Sequence, residues 1–301
     1  MSMWKECEGL QEELVKIRRE LHQIPEFGFD LPETQKYVTD KLDELGIPYK
    51  CSGTDSSIIA EIKGGQPGKT VALRADMDAL KITEANDVDY KSKHEGLMHA
   101  CGHDNHIAML LGAAKVLNAH KAEIKGNVRL LFQTAEELSK GAEIMIKDGA
   151  MDGVDAVFGQ HIGSIINKDI PTGKVIVTPG CCMASFDRFV IHVKGTGCHG
   201  STPEKGTDPI TMASHIVINL QEIIAREVSA VKAAVVTIGY FHGGVAYNAI
   251  PSEVEIEGTI RALEEPIRQY LAKRIEEIAK STAATFRGTA EVEMDWGAPP
   301  V

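Results

Sequence analysis

The first 45 residues carry hydrophobic positions at the spacing of amphipathic helices. Apolar side chains recur every three or four residues from Leu10 to Leu21, and the pattern stops just before Pro25. This spacing places them on one face of a helix, and a proline is typical of the region beyond a helix end. A second helix of the same kind is predicted over about residues 33–45, where Gly46 ends it.

Strands and helices alternate in the next stretch. Residues 57–63 and 70–74 are short apolar runs separated by a Gly-Gly-Gln-Pro-Gly turn, which predicts a hairpin-like strand pair. Four more elements follow: a helix from Asp104, a strand over residues 127–133, a helix over residues 141–147 and a strand over residues 156–160. Helices that alternate with strands indicate an α/β layer structure, here a mixed sheet with helices on both faces.

The order of elements changes in the second half of the chain. The patterns there predict a strand, a helix, two strands, a helix and a strand, over residues 188–193, 209–226, 233–241, 253–261, 265–283 and 288–295. This βαββαβ order is typical of the ferredoxin-like α+β unit. We therefore expect a second domain over residues 184–296, inserted into a first domain of residues 1–183 that resumes at residues 297–301.

Composition limits the class of protein and its surroundings. With 301 residues, 43% of them hydrophobic and 25% charged, the chain can form one or two well-packed cores. No stretch approaches about 18 consecutive apolar residues, and the charged N-terminus is unlike a secretory signal, so we expect a cytoplasmic protein without membrane contact. Six cysteines in such a chain are typical of free thiols or metal ligands. A formal net charge of −11 without a cluster of Lys and Arg argues against nucleic-acid binding.

Side chains that bind metals or transfer protons lie at the ends of the predicted strands or directly before a helix. They are Asp76 and Asp78, Cys101 and His103 of a Cys-Gly-His sequence, Glu136 and Glu137, and His161. Ligand crevices of open α/β sheets form at the carboxyl ends of the strands. The sequence therefore predicts a single site at this edge of the first domain.

Each of these residues alone would have a structural interpretation. An isolated Cys101 would more often be a buried inert thiol, and an isolated His161 a satisfied histidine at a strand end. An isolated Glu136-Glu137 pair would be two solvated acids stabilised by a helix N-terminus. Cys101 and His103 are two residues apart, however, so both can point to one side of an extended segment and share a metal.

The Glu136-Glu137 pair completes this set. Adjacent carboxylates face different ways, so one can bind a metal while the other acts as a general base. Cysteine, histidine and glutamate together suit zinc, manganese, cobalt or nickel better than calcium or magnesium. The sequence therefore predicts a hydrolytic metal centre.

Five segments resemble the aminoacylase and carboxypeptidase clan of metal-dependent amidohydrolases, in particular the branch with hippurate hydrolase and the indoleacetyl-amino-acid hydrolases. They are Leu21-His22-Gln23-Ile24-Pro25-Glu26, Leu73-Arg74-Ala75-Asp76-Met77-Asp78-Ala79-Leu80, Met98-His99-Ala100-Cys101-Gly102-His103-Asp104, Gln133-Thr134-Ala135-Glu136-Glu137, and residues 195–210. They span almost the whole chain in order. The segment that contains Cys101 and His103 is highly specific by itself.

The resemblance implies roles for residues of the first domain. The ligands in a site for two divalent metals would be Cys101, His103, Glu137 and His161. Glu136 would be the general acid/base. His106 and His242 have no partner at ligand spacing, so we interpret them as structural residues or as supports for the ligands.

The resemblance also implies roles for the second domain, which would act as a lid and join two subunits into a homodimer. His199 would stabilise the oxyanion formed during hydrolysis. Asn248 and Arg261 would hold the carboxylate of the substrate, and the fork of an arginine suits a carboxylate physically.

Two functions of different classes follow from this reading. In the first, the chain hydrolyses the amide bond of an N-acyl amino acid or a related small conjugate, with a metal-activated water and Glu136 as general acid/base. In the second, it is a non-catalytic or impaired relative that self-associates through the lid. Relatives continue beyond the position of Val301 with more of the first domain and one further histidine ligand, so for a chain ending there we expect aggregation, fewer than two metals and slow turnover. A redox or metal-storage role is disfavoured because Cys181-Cys182 is not a Cys-x-x-Cys sequence.

Overall fold

The computed structural model describes residues 3–163 and 169–301, and the chain forms two compact units, Met1–Gly173 and Lys174–Val301. The predicted boundary between residues 183 and 184 stays a prediction. Residues 297–301 lie with the second unit, whereas we expected them to return to the first domain. Within the second unit, Val301 and Met183 exchange two backbone hydrogen bonds of 2.9 and 3.0 Å. In the described part of the chain, no helix combines the length and the apolar content that crossing a membrane requires.

The first unit contains the predicted mixed sheet with helices on both faces. Its strands are β1 (Tyr49–Cys51), β2 (Ile58–Lys63), β3 (Gln66–Asp76), β4 (Lys125–Gln133) and β5 (Ala156–Gly159). Its helices are α1 (Met3–Glu8), α2 (Gln11–His22), α3 (Pro32–Glu44), α4 (His103–Ala119) and α5 (Gly141–Lys147). The sheet order is β1-β2-β4-β3-β5, with β3 parallel to both β4 and β5 and the other neighbours antiparallel.

Strand β4 lies between β2 and β3, so the predicted hairpin of β2 and β3 is wrong. Leu130 of β4 pairs with Ala60 of β2 on one side and with Leu73 of β3 on the other. Helix α4 lies in the crossover from β3 to β4, which returns the chain in the parallel sense. An apolar run indicates a strand but does not identify the strand with which it pairs. The Gly-Gly-Gln-Pro-Gly turn after β2 suggested that β2 and β3 pair with each other, and they do not.

Alternate residues of β4 bury their side chains on opposite faces of the sheet. On one face, Leu130 and Phe132 belong to the same core cluster as Ile107 of α4, and all three are fully buried. On the other face, Leu131 packs in a smaller cluster with Met145 of α5. Packing on both faces fixes the strand ends relative to the beginning of α4.

The second unit has the predicted βαββαβ order with two short strands added. Its strands are β6 (Phe186–Lys194), β7 (Cys198–His199), β8 (Ala234–Gly243), β9 (Ala249–Ile250), β10 (Glu253–Ala262) and β11 (Thr289–Ala298), and its helices are α6 (Pro209–Glu222) and α7 (Glu265–Thr285). The main sheet has the order β11-β6-β10-β8, and each neighbouring pair is antiparallel. Helices α6 and α7 share one buried core cluster with this sheet.

Candidate metal centre

The topology of the first unit brings the predicted ligands to one edge of its sheet. Strands β3 and β4 are parallel, with Asp76 opposite Gln133 at their carboxyl ends. Strand β5 is parallel to β3 and ends at Gly159, two residues before His161. Helix α4 begins at His103, and the contacts of this residue place it at the same edge.

His103 presents one free nitrogen to two glutamates. The residue is fully buried, and its Nδ1 donates a hydrogen bond of 2.7 Å to the backbone oxygen of Asp78. This contact leaves Nε2 unprotonated in the neutral ring, 3.8 Å from Oε1 of Glu137 and 3.9 Å from Oε2 of Glu136. Nε2 of His103 and Oε1 of Glu137 are both buried without a hydrogen-bond partner among the described residues. Such atoms are rare in native proteins, and a bound cation is one explanation for them.

Cys101 and His161 complete the group. Sγ of Cys101 lies 3.3 Å from Nε2 of His161, while Nδ1 of His161 donates to the backbone oxygen of Ile162 at 2.5 Å. Between the two ligand positions of the Cys-Gly-His sequence, Gly102 adopts a φ of +89°, which favours glycine. A Cβ on Gly102 would also approach the end of the Ile162 side chain to 2.7 Å, so this side chain would have to move.

The spacing of these donors fits a divalent metal. Two sets, Cys101–His103–His161 and His103–Glu136–Glu137, each have ligand atoms within 4.8 Å of one another. Nitrogen, oxygen and sulfur ligands at ordinary zinc distances lie about 3.3–3.6 Å apart in a tetrahedral site. The observed separations of 3.3 and 3.8 Å need only small adjustments to reach that range. His103 belongs to both sets and therefore lies at the centre of the site.

Burial and charge shift the proton affinities of this site. Burial raises the pKa of the Cys101 thiol to about 12, and Glu137 adds to this effect. Burial lowers the pKa of His103, but the carboxylates of Asp78 and Asp76 outweigh it and raise the pKa to about 9. Burial also raises the pKa of Glu136. Metal ligands have to be deprotonated, so metal binding at this site releases protons.

Asp78 has a structural part in the site that the sequence did not reveal. Its carboxylate is fully buried and accepts the backbone N–H groups of Glu136 at 3.0 Å and Glu137 at 3.1 Å. Its own backbone oxygen orients His103. Asp78 thus contacts three functional positions; its place directly after a strand and within a resembling segment marked it as a site residue, but not this supporting part.

The remaining predicted residues lie in the second unit. His199 is in β7 and Asn248 directly precedes β9, its pairing partner; the backbone oxygen of Asn248 accepts the N–H of Gly200 at 2.8 Å. Arg261 is in β10, with its guanidinium 5.3 Å from the centre of the Phe186 ring. Their roles toward a substrate stay predictions.

A buried, unpaired nitrogen of His103 and oxygen of Glu137, together with the thiol of Cys101 on the same edge of an α/β sheet, are typical of a metal-dependent hydrolase. The model of Peptidase family M20/M25/M40 matches residues 72–301. The chain belongs to this family, which confirms the predicted fold class and the resemblance.

Known relatives extend the comparison. The chain is 42% identical over 293 residues to N-acetyl-L-cysteine deacetylase of Bacillus subtilis (strain 168), covering 97% of this chain and 69% of that protein. It is 41% identical over 290 residues to N-acyl-L-amino acid amidohydrolase of Geobacillus stearothermophilus, covering 96% and 77%. A solved Bacillus subtilis structure described as a dinuclear metal-binding peptidase of the M20 family is similar with a TM-score of 0.82 and 37% identity, over 98% of this chain and 76% of that one.

Proposed function

We propose that this chain hydrolyses the amide bond of N-acyl amino acids or related small conjugates. The observation that carries the proposal is the pair of buried, unpaired ligand atoms, Nε2 of His103 and Oε1 of Glu137, beside the Glu136 carboxylate. The names of the two relatives, a deacetylase of N-acetyl-L-cysteine and an amidohydrolase of N-acyl-L-amino acids, support this class of substrate.

The metal ligands in this proposal are Cys101, His103, Glu137 and His161. We expect two ions in a complete site, and the mixture of sulfur, nitrogen and oxygen donors favours zinc, manganese, cobalt or nickel. When bound, such a metal polarises the amide carbonyl and lowers the pKa of water.

Glu136 is the proposed general acid/base. Its side chain is 38% exposed, so it can reach both substrate and solvent. Burial of the remainder raises its pKa, which makes the carboxylate a better proton acceptor. Glu136 takes a proton from the attacking water as the water oxygen bonds to the acyl carbon. It then gives this proton to the amide nitrogen as the C–N bond breaks, which releases a free amino acid and a carboxylic acid. The acid loses its remaining proton to solvent.

In the second unit, His199 is the proposed donor to the developing oxyanion. Its Nδ1 accepts hydrogen bonds from the backbone N–H of Ser201 at 3.2 Å and from the Ser201 hydroxyl at 2.8 Å. Because a backbone N–H can only donate, Nδ1 is unprotonated and the exposed ring carries its proton on Nε2. That N–H is a donor of the kind that stabilises oxyanions. Asn248 and Arg261 are the proposed partners of the substrate carboxylate.

The second unit is also the proposed dimer interface, through the edge strand β8. An edge strand has unpaired backbone groups that a second copy can satisfy. On β8, Val235, Tyr240 and Phe241 are exposed, whereas the other edge strand, β11, exposes Glu291 and Glu293, which would repel their copies. We place the dimer in the cytoplasm, where a reducing environment suits six free cysteines.

A hydrolysis screen tests the proposal. The protein is loaded in turn with zinc, manganese, cobalt or nickel, and the amine released from N-acetyl, N-benzoyl and indoleacetyl amino acids is measured. We expect Glu136→Gln to keep its metal and to lose about 10²- to 10⁴-fold in turnover, because it removes the base and no ligand. Glu143→Gln, at an exposed position of α5, is the matched control and should be unchanged.

Two results would count against the proposal. Turnover of Glu136→Gln near that of the parent would remove the assigned role of this residue. Tight metal binding without hydrolysis of any substrate by the parent chain would favour the alternative, a non-catalytic relative that self-associates through the lid.

A further inference from the structure

His106 lies one turn after His103 on α4 and is only 3% exposed. Both of its ring nitrogens have hydrogen-bond partners. Nδ1 lies 2.6 Å from Oδ1 of Asp76, and Nε2 accepts the backbone N–H of Ile162 at 2.9 Å. Because a backbone N–H can only donate, Nε2 is the unprotonated nitrogen and Nδ1 donates to the carboxylate. Asp76, His103 and His106 have donor atoms within 4.8 Å of one another, but these contacts leave His106 no lone pair for a metal.

Ile162 connects His106 to the proposed ligand His161. The backbone oxygen of Ile162 accepts the Nδ1 proton of His161 at 2.5 Å, which leaves Nε2 of His161 facing Cys101. The Ile162 side chain packs over Gly102. A hydrogen bond to the N–H of Ile162 therefore fixes the residue whose carbonyl orients His161.

The His106 ring itself lies between the two histidine ligands. It stacks on His103 with ring centres 5.4 Å apart and meets His161 edge-on at 4.7 Å. Its partner Asp76 is fully buried and is held in turn by Arg74 at 2.7 Å. The position of His106 is thus fixed from the β3 side, independently of the segment that carries His161.

We propose that His106 is a positioning residue that ties the segment carrying His161 to the helix carrying His103, so that both ligands face the same metal. The inference rests on the metal site of the proposed function. It assigns no chemistry to His106, which acts through the backbone of Ile162. Residues that orient metal ligands typically affect metal affinity by about 10- to 100-fold.

Three substitutions separate the two contacts of His106. His106→Leu removes both. In His106→Gln the side-chain oxygen can replace Nε2 as acceptor for Ile162, whereas in His106→Asn the amide can replace only the Nδ1 donor to Asp76. The dissociation constant for zinc is measured by competition with a chromogenic chelator. We expect a loss of about 10- to 100-fold for the Leu and Asn variants and recovery of most of this affinity in the Gln variant.

His120→Leu is the control, because His120 follows α4 at the opposite end from His103 and its ring nitrogens bond to Glu123 and Glu6. It should bind zinc like the parent. A double-mutant cycle adds a sharper criterion: with His161→Ala present, His106→Leu should cause no further loss, because its effect passes through His161. The thermal midpoints of the metal-free proteins show whether a variant still folds.

Unchanged zinc affinity in His106→Leu would overturn the inference. Equal recovery by the Asn and Gln variants would do so as well, because the contact with Ile162 would then be irrelevant. If the Leu variant does not fold, the comparison of Asn with Gln still decides. The test measures zinc affinity and not hydrolysis, so the two proposals can fail separately. If His106→Leu binds zinc like the parent, the inference is wrong even when the parent hydrolyses N-acyl amino acids. If the parent hydrolyses none of these substrates, the expected order of zinc affinities among the His106 variants can still be observed.

Discussion

Replacement of Asp78 by asparagine tests how the two catalytic-site glutamates are held in place. The two oxygens of the Asp78 carboxylate accept the backbone N–H groups of Glu136 and Glu137 at 3.0 and 3.1 Å. Asp78→Asn keeps the size and shape of the side chain. It replaces one acceptor oxygen by an NH2 group, so that one of the two backbone donors faces another donor.

The expected cost follows from this geometry. A hydrogen bond to a charged group contributes about 1.5–3 kcal/mol, and a buried donor without a partner costs about 1–3 kcal/mol. One contact is lost and the other loses its charge, so we expect the free energy of unfolding of the first unit to fall by about 2–3 kcal/mol. Displacement of a reacting group by about 1 Å can reduce a rate about 10²-fold, and we expect a loss of that order in turnover.

Native-state hydrogen exchange measured by mass spectrometry is the suitable assay, because peptides from β3 and β4 report on the first unit separately from the second. Turnover is measured at saturating metal. Asp87→Asn, at an exposed position, is the control and should change the unfolding free energy by less than about 0.5 kcal/mol. If Asp78→Asn matches this control in both stability and turnover, then Asp78 does not position the glutamates.

Three further predictions concern other parts of the molecule. Cys101→Ser should lower metal content, measured by elemental analysis, more than it lowers the thermal midpoint of the metal-free protein; unchanged metal content would instead favour a buried inert thiol. Arg268→Ala should destabilise the second unit by about 3–5 kcal/mol in urea unfolding, because the fully buried Asp187 loses its charged partner. The exposed Arg188→Ala should cost less than about 1 kcal/mol, and equal losses would contradict the reasoning. Phe241→Glu on β8 should convert a dimer into a monomer in sedimentation experiments, and a parent that is already monomeric at micromolar concentration would exclude the proposed interface.

Local periodicity predicted the positions of most helices and strands. Helix α5 occupies residues 141–147 as predicted, and α3 begins and ends within one residue of its predicted limits. Such patterns are local, because a helix or strand repeats its apolar face every few residues. The pairing of β2 with β3 was predicted wrongly, because strand partners are set by packing between distant segments.

The sequence by itself determined the chemical types of the candidate site and their order along the chain. Cys101, His103, Glu137 and His161 were recognised because thiol, imidazole and carboxylate groups at strand ends and before a helix are unusual together. Residue type indicated a metal centre, and the family resemblance implied which of these residues are its ligands.

Only the tertiary structure decided how those groups are supported. Asp78 accepts N–H groups from residues 58 and 59 positions away, and His106 accepts one from a residue 56 positions away. Neither contact has a sequence pattern of its own. The first depends on the parallel pairing of β3 with β4 and the second on that of β3 with β5, each in a fixed register, since a shift of one residue would turn each strand side chain to the opposite face of the sheet.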